Sequence, residues 1–178
     1  MKSAVWILAA VIAAAAGVTD WRSRRIPNWI TVPGLFAGLL LNFYVYGLAG
    51  VEQSLLGIAL GLALLFPFLW IRALGAGDWK LMGAIGAVVG PHHLLIVLLW
   101  TVLVNGAMAA AMILWKKRVR QTAYNLGHML ASIFAFQLPG REFTIDNPES
   151  IKVPFGVAAT IAVVLYSARQ LWMMRLAA

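Results

Sequence analysis

The chain is written as long apolar runs separated by short, mostly basic loops, and that alternation leaves it few architectures. From Ser54 to Ile71 no charged residue interrupts the run, and from Leu81 to Trp115 the only titratable side chains are His92 and His93. In lipid, segments of this kind satisfy their backbone N–H and C=O groups as helices, so the expected fold is all-α. Composition agrees: 62% of the 178 residues are hydrophobic and 11% are charged, which points to a polytopic membrane protein. The net charge of +8 does not argue for nucleic acid. The positive residues lie in short loops between runs, where they would face the cytoplasm and its anionic membrane lipids. With no cysteine, disulfides, thiolate metal sites and thiol nucleophiles are excluded.

Read in order, the runs predict six transmembrane helices in a single membrane-embedded domain, residues 1–178. The first, about Ala4–Thr19, covers roughly 24 Å and leaves Asp20 at the membrane boundary. Its Ala-rich run after Lys2 has the shape of a signal peptide, but Arg22, Arg24 and Arg25 follow it, so a retained span with its N-terminus outside is expected. A sharp turn at Ile26-Pro27-Asn28 leads into a second span, about Trp29–Tyr46. After a connection at Gly47–Gln53, a third runs about Ser54–Leu74, with a kink expected at Pro67 and a break at Gly75 and Gly77. The run Trp79–Val89 is short for a span. If it crosses, however, all but Lys2, Arg169 and Arg175 of the 14 Lys and Arg fall on one side, and Leu94–Trp115 becomes the fifth span. Lys116–Lys152 then reads as a cytoplasmic amphipathic helix followed by a turn-rich loop, before a last span opening at Val153-Pro154-Phe155-Gly156 and ending near Met174. This topology places the chain in the cytoplasmic (inner) membrane, multi-pass, with both termini outside.

Two carboxylates stand out because ionisable groups at membrane segments are costly. Asp78 follows the third run in Gly75-Ala76-Gly77-Asp78-Trp79-Lys80-Leu81, and Asp20 closes the first. The topology puts both on the inner side at similar depth. Two carboxyl groups in one cleft do not readily ionise together, so one keeps a proton while the other is anionic. Such a pair can activate water against a peptide carbonyl and protonate the leaving amine, with no metal and no cofactor. The glycines are expected to admit a substrate backbone close to Asp78, and Lys80 to tune the pair or anchor the loop. The bland readings are a helix-cap role for Asp78 and an ion pair of Asp20 with a neighbouring arginine. His92-His93, on the opposite side, reads as a polar turn rather than a metal site.

These residues carry a resemblance. Gly75-Ala76-Gly77-Asp78-Trp79-Lys80-Leu81 resembles the Gly-x-Gly-Asp-x-Lys-Leu signature of the type IV prepilin peptidase family, a pattern whose first half is shared with presenilin-like proteases. Asp20 with Arg25-Ile26-Pro27-Asn28 is similar to that family's other aspartate motif, and Val153-Pro154-Phe155-Gly156 resembles its Pro-Phe-Gly opening of the last span. The resemblance implies a six-helix membrane aspartyl protease that cuts the short basic leader from prepilin-like precursors on the cytoplasmic side. It makes Asp20 and Asp78 the catalytic pair, with Gly75, Gly77, Lys80, Arg25, Pro27 and Asn28 shaping the site or binding substrate. Larger members carry a cysteine-bearing segment and also methylate the new N-terminus. This chain looks like the short, peptidase-only branch found with tight-adherence pili, so methyl transfer is not expected. The loop acids Glu142, Asp146 and Glu149 read either as solvated or as receivers of the basic leader. A GxGD protease of unrelated membrane substrates and a transport or assembly subunit are the alternative functions.

Overall fold

A computed structural model describes residues 2–117, 119, 120, 122, 124, 127 and 153–176. Among them five helices follow in order: α1 (Lys2–Ser23), α2 (Asn28–Tyr46), α3 (Leu48–Trp70), α4 (Ala76–Trp115) and α5 (Phe155–Leu176). Each is long and apolar enough to cross a membrane. The expected all-α membrane architecture is therefore present. The amphipathic stretch and turn-rich loop lie outside the described residues, apart from Lys116 and Lys117 at the end of α4 and helical positions 119, 120, 122, 124 and 127. Glu142, Asp146 and Glu149 lie outside them as well.

The connection expected at Gly47–Gln53 shrinks to Gly47 alone. Gly47 adopts φ +64°, a left-handed conformation cheap only for glycine, and its N–H closes α2 on the Phe43 carbonyl at 2.8 Å. Glu52 and Gln53, whose polarity suggested a loop, are good helix formers and lie inside α3.

The expected fourth and fifth spans are two arms of α4, broken at Gly90 (φ 76°, ψ 172°) just before Pro91. The arms fold back on each other. A Cβ placed on Gly61 of α3 would meet both the Met82 carbonyl oxygen (2.9 Å) and Leu94 Cδ2 (3.1 Å), residues about 18 Å apart along a straight helix. Every residue from Leu81 to Gly90 is buried, and α1, α2, α3 and α5 all pack against α4. From Leu81 to Val89 the first arm is thus the centre of the bundle, and protein surrounds it. A short helix can sit at membrane depth under that condition.

The break exposes carbonyls that need partners. Pro91 has no N–H, so the Ala87 carbonyl loses its helical donor. Asn42 Nδ2 and Ser54 Oγ donate to it instead, at 2.9 and 2.7 Å, and the Asn42 amide also donates to Val88 O at 2.9 Å. One buried amide from α2 and one hydroxyl from α3 thereby cap the central arm.

Packing follows membrane rather than soluble logic, with small residues inward and large apolar ones outward. The buried stripe of α2 is Ile30, Thr31, Gly34, Gly38 and Asn42, and that of α3 is Gly50, Ser54, Gly57, Gly61 and Leu65. Leu40, Phe43, Leu56 and Leu64 on the same helices are exposed. A Cβ on Gly57 would collide with the Gly86 carbonyl, which shows how closely the helices approach. Helices α1 and α5 run antiparallel: Trp6 meets Tyr166 edge-on at one end, and Asp20 meets Gly156 at the other. His93 belongs to the first end, 2.8 Å from the Tyr166 hydroxyl and edge-on to Trp6. The two histidines are opposite the aspartates, as expected, but His93 is packed rather than a free turn residue.

Candidate active site

Asp20 lies in the last turn of α1. The helix ends there because Arg24 turns left-handed (φ 53°) and its N–H closes on the Asp20 carbonyl at 2.8 Å. The Asp20 side chain is buried, and its Oδ2 accepts a hydrogen bond from the Gly156 N–H at the start of α5, at 2.8 Å. Arg24 is near enough to act on it electrostatically.

Asp78 lies in the first turn of α4, three residues after the extended N-cap Gly75. Helix α3 stops just before, with Arg72 left-handed (φ 55°) and the Ala73 and Arg72 N–H groups bonded to the Phe68 and Leu69 carbonyls at 2.9 and 3.0 Å. That closure directs the chain into the glycine loop. The Asp78 carboxyl reaches back to Gly75, the N-cap, near enough for that residue's N–H to act on it, as in a capping arrangement. The same carboxyl is close enough to Asp20 for the charge of one to act on the other. The two aspartates, delivered by different helices, lie at the same end of the bundle, within electrostatic range of each other.

Ile26 sits between them. It is buried, and a Cβ on Gly77 would stand 2.9 Å from its carbonyl oxygen and 3.1 Å from its Cβ. Its Cδ1 would be 3.1 Å from a Cβ on Gly156, beside Asp20. The space on the Cβ side of Gly77 is thus filled by the chain's own Ile26. Contrary to expectation, Gly77 does not break a helix, since it lies inside the first turn of α4. Gly75 is the N-cap, with Asp78 Oδ2 3.0 Å from where its Cβ would be.

Of the other expected residues, Lys80 and Asn28 come together. Lys80 Nζ donates to Asn28 Oδ1 at 3.0 Å, which makes Lys80 an anchor between α4 and α2. Pro27 is the extended N-cap of α2 (φ −77°, ψ 151°), and its carbonyl accepts the Ile30 N–H. Arg25 is exposed, and its carbonyl accepts from Ser23 Oγ at 3.3 Å. Trp79 adds a tie to α3 through Nε1 to Leu62 O at 2.8 Å. Sequence reasoning did not single out Ile26, Trp79 or Gly156 as site residues. Ile26 had a signal: it is the one large apolar residue in the basic turn between Trp21 and Trp29.

Two carboxyl groups in mutual electrostatic range at a mostly buried rim can share a proton and exchange it with water. Against that geometry, the sequence profile of the type IV leader peptidase family matches residues 7–113. The chain belongs to the type IV leader peptidase family. The prepilin leader peptidase/N-methyltransferase of Aeromonas hydrophila is 29% identical over 133 residues, covering 71% of this chain and 44% of that protein. The protein of the same name from Xanthomonas campestris pv. campestris is 29% identical over 135 residues, covering 70% and 45%. That from Escherichia coli (strain K12) is 34% identical over 89 residues, covering 46% and 39%. The chain thus spans less than half the length of these curated relatives. No solved structure gives a significant match.

Proposed function

We propose that this chain is an aspartic endopeptidase that removes the short basic leader from prepilin-like precursors. The observation that carries this reading is that Asp20 and Asp78, from separate helices, flank the same Ile26 within electrostatic range of each other, in a chain of a leader peptidase family. The anionic carboxylate takes a proton from water as the water oxygen attacks the scissile carbonyl carbon. The protonated carboxyl gives its proton to the carbonyl oxygen. When the C–N bond breaks, the first carboxyl returns its proton to the leaving amine, and the second recovers one from the tetrahedral hydroxyl, so the pair ends as it began. The fold-back at Gly90 supports six crossings, with the first arm of α4 as the fourth. The positive-inside bias then turns the aspartate end toward the cytoplasm and its anionic lipids.

The test is cleavage of a leader-bearing precursor by the purified chain in detergent, with the product weighed by mass spectrometry. Asp20→Asn and Asp78→Asn should each lower the rate by about 10²–10⁴-fold or more while the proteins insert and unfold normally. Cleavage that survives either change rejects the reading. Processing indifferent to the leader would assign a protease of other membrane substrates. The product N-terminus should be unmethylated when S-adenosylmethionine is supplied.

A further inference from the structure

We infer that Gly156 is a positioning residue for Asp20: its backbone N–H aims the carboxylate, and its lack of a side chain gives that carboxylate its place. The inference rests on the peptidase reading for its consequence in the reaction, but its geometry stands independently.

The first turn of a helix presents N–H groups with no partner inside the helix, and a Ser, Thr, Asp or Asn at the N-cap usually supplies one. Helix α5 opens after Pro154, whose side chain accepts nothing. The missing acceptor comes from α1: the Gly156 N–H donates to Asp20 Oδ2 at 2.8 Å in a buried bond. A hydrogen bond to a carboxylate in such surroundings is short and directional, so it sets the rotation of the carboxylate plane.

Sterics point the same way. A Cβ on Gly156 would stand 2.8 Å from Asp20 Cβ, 3.0 Å from its Oδ2 and 3.1 Å from Ile26 Cδ1. Any side chain there displaces either the carboxylate or Ile26, and Ile26 in turn backs onto Gly77, next to Asp78. The register that brings the N–H to Asp20 is held one turn further on. Thr160 Oγ1 donates both to Ala13 O on α1 and to Gly156 O, the latter at 2.8 Å. The start of α5 is thus clamped on α1 with Gly156 facing the carboxylate.

The decisive perturbation removes the Gly156 donor at constant side-chain volume and leaves the neighbouring Val157 N–H, which also acts on Asp20, in place. In the full chain, suppression with glycolic acid at position 156 replaces that amide by an ester without adding volume. Two readouts are taken. The first is the infrared band of ¹³C-carboxyl-labelled aspartate, compared with the same exchange in an Asp20→Asn background. The second is the split between kcat and KM on a leader-bearing precursor. The expected result is a shifted carboxyl band that vanishes in the Asp20→Asn background, kcat lower by roughly ten-fold or more, KM within about two-fold, and a thermal midpoint lowered by no more than the loss of one buried hydrogen bond. Gly156→Ala, which adds the steric term, should lose more kcat. An unshifted band overturns the orientation itself. A shifted band with full kcat overturns its part in the reaction, and a larger fall in midpoint with matching losses of kcat and KM assigns a purely structural role and overturns it too. A wild-type chain that leaves the precursor intact would instead refute the peptidase reading, and the infrared comparison would still decide whether Gly156 orients Asp20.

Discussion

Adding one methyl group at Gly77 should reach the aspartate pair without touching either carboxyl. The new Cβ would stand 2.9 Å from Ile26 O, 3.1 Å from Ile26 Cβ and 3.3 Å from Ile26 N. Two of these are main-chain atoms, so no rotamer change relieves the crowding. Ile26 cannot simply retreat, because its Cδ1 already lies over Gly156 and the next residue, Pro27, fixes the entry to α2. Overpacking of this kind costs about 1–3 kcal/mol. Gly106, on the second arm of the same helix, is the matched control, since a Cβ there meets nothing within 4 Å. Gly→Ala in a helix otherwise gains roughly 0.5–1 kcal/mol at either position, so that contribution cancels between the two variants. Gly77→Ala should then be less stable than Gly106→Ala by about 1–3 kcal/mol, measured by unfolding in one detergent. Relief requires Ile26 to move a few tenths of an ångström, which shifts one aspartate against the other. With about 10²-fold lost per ångström of misplacement, kcat should fall by roughly three- to six-fold in Gly77→Ala and be unchanged in Gly106→Ala. A Gly77→Ala protein as stable as Gly106→Ala and fully active would refute the role given to Ile26.

Three further outcomes follow from the same geometry. Asn42→Ala removes the donor to Val88 O and one of two to Ala87 O, and should destabilise the chain by about 1–3 kcal/mol in detergent unfolding; adding Ser54→Ala should cost more than the sum of the single changes, because Ala87 O then has no side-chain donor. Gly90→Ala should cost about 1–3 kcal/mol although the nearest atom to its Cβ is 3.8 Å away, because φ 76° with ψ 172° is a conformation that side-chain-bearing residues avoid. The rate of leader cleavage should be bell-shaped in pH, falling on the acid side as the second carboxyl binds a proton and on the alkaline side as the shared proton leaves; a flat profile with chemistry rate-limiting would reject proton sharing.

How much of this was legible beforehand depends on what each feature is made of. The apolar runs announced helices because lipid admits little else, and the basic loops announced which helix ends share a side. That sufficed to place Asp20 and Asp78 together. The Gly47 turn was misread because polarity at Glu52 and Gln53 outweighed their helix propensity. The burial of Leu81–Gly90 was hidden for a different reason: the hydropathy of a helix does not say whether lipid or protein surrounds it. Gly77 and Gly156 were visible as glycines, but what fills the space beside each is Ile26 or Asp20, and those are contacts between segments far apart in the chain. The Lys80–Asn28 bond is of the same kind, joining two motifs that the sequence shows separately.

The central arm explains why a site split between helices can still be held in place. From Asp78 to Gly90 it forms a rod of about 18 Å, and a rigid rod fixed at both ends fixes the depth of everything on it. At the far end, Asn42 and Ser54 hold the Ala87 and Val88 carbonyls. At the near end, Lys80 is tied to Asn28, Trp79 to Leu62, and Gly77 rests on Ile26. Asp20 is held separately, by the left-handed turn at Arg24 and by Gly156. Ile26 touches both assemblies, through its backbone on the Gly77 side and its Cδ1 on the Gly156 side. The α1–α2 turn, wedged between α4 and α5, therefore bears directly on the spacing of the two carboxyl groups, and changes at the far end should alter stability more than they alter that spacing.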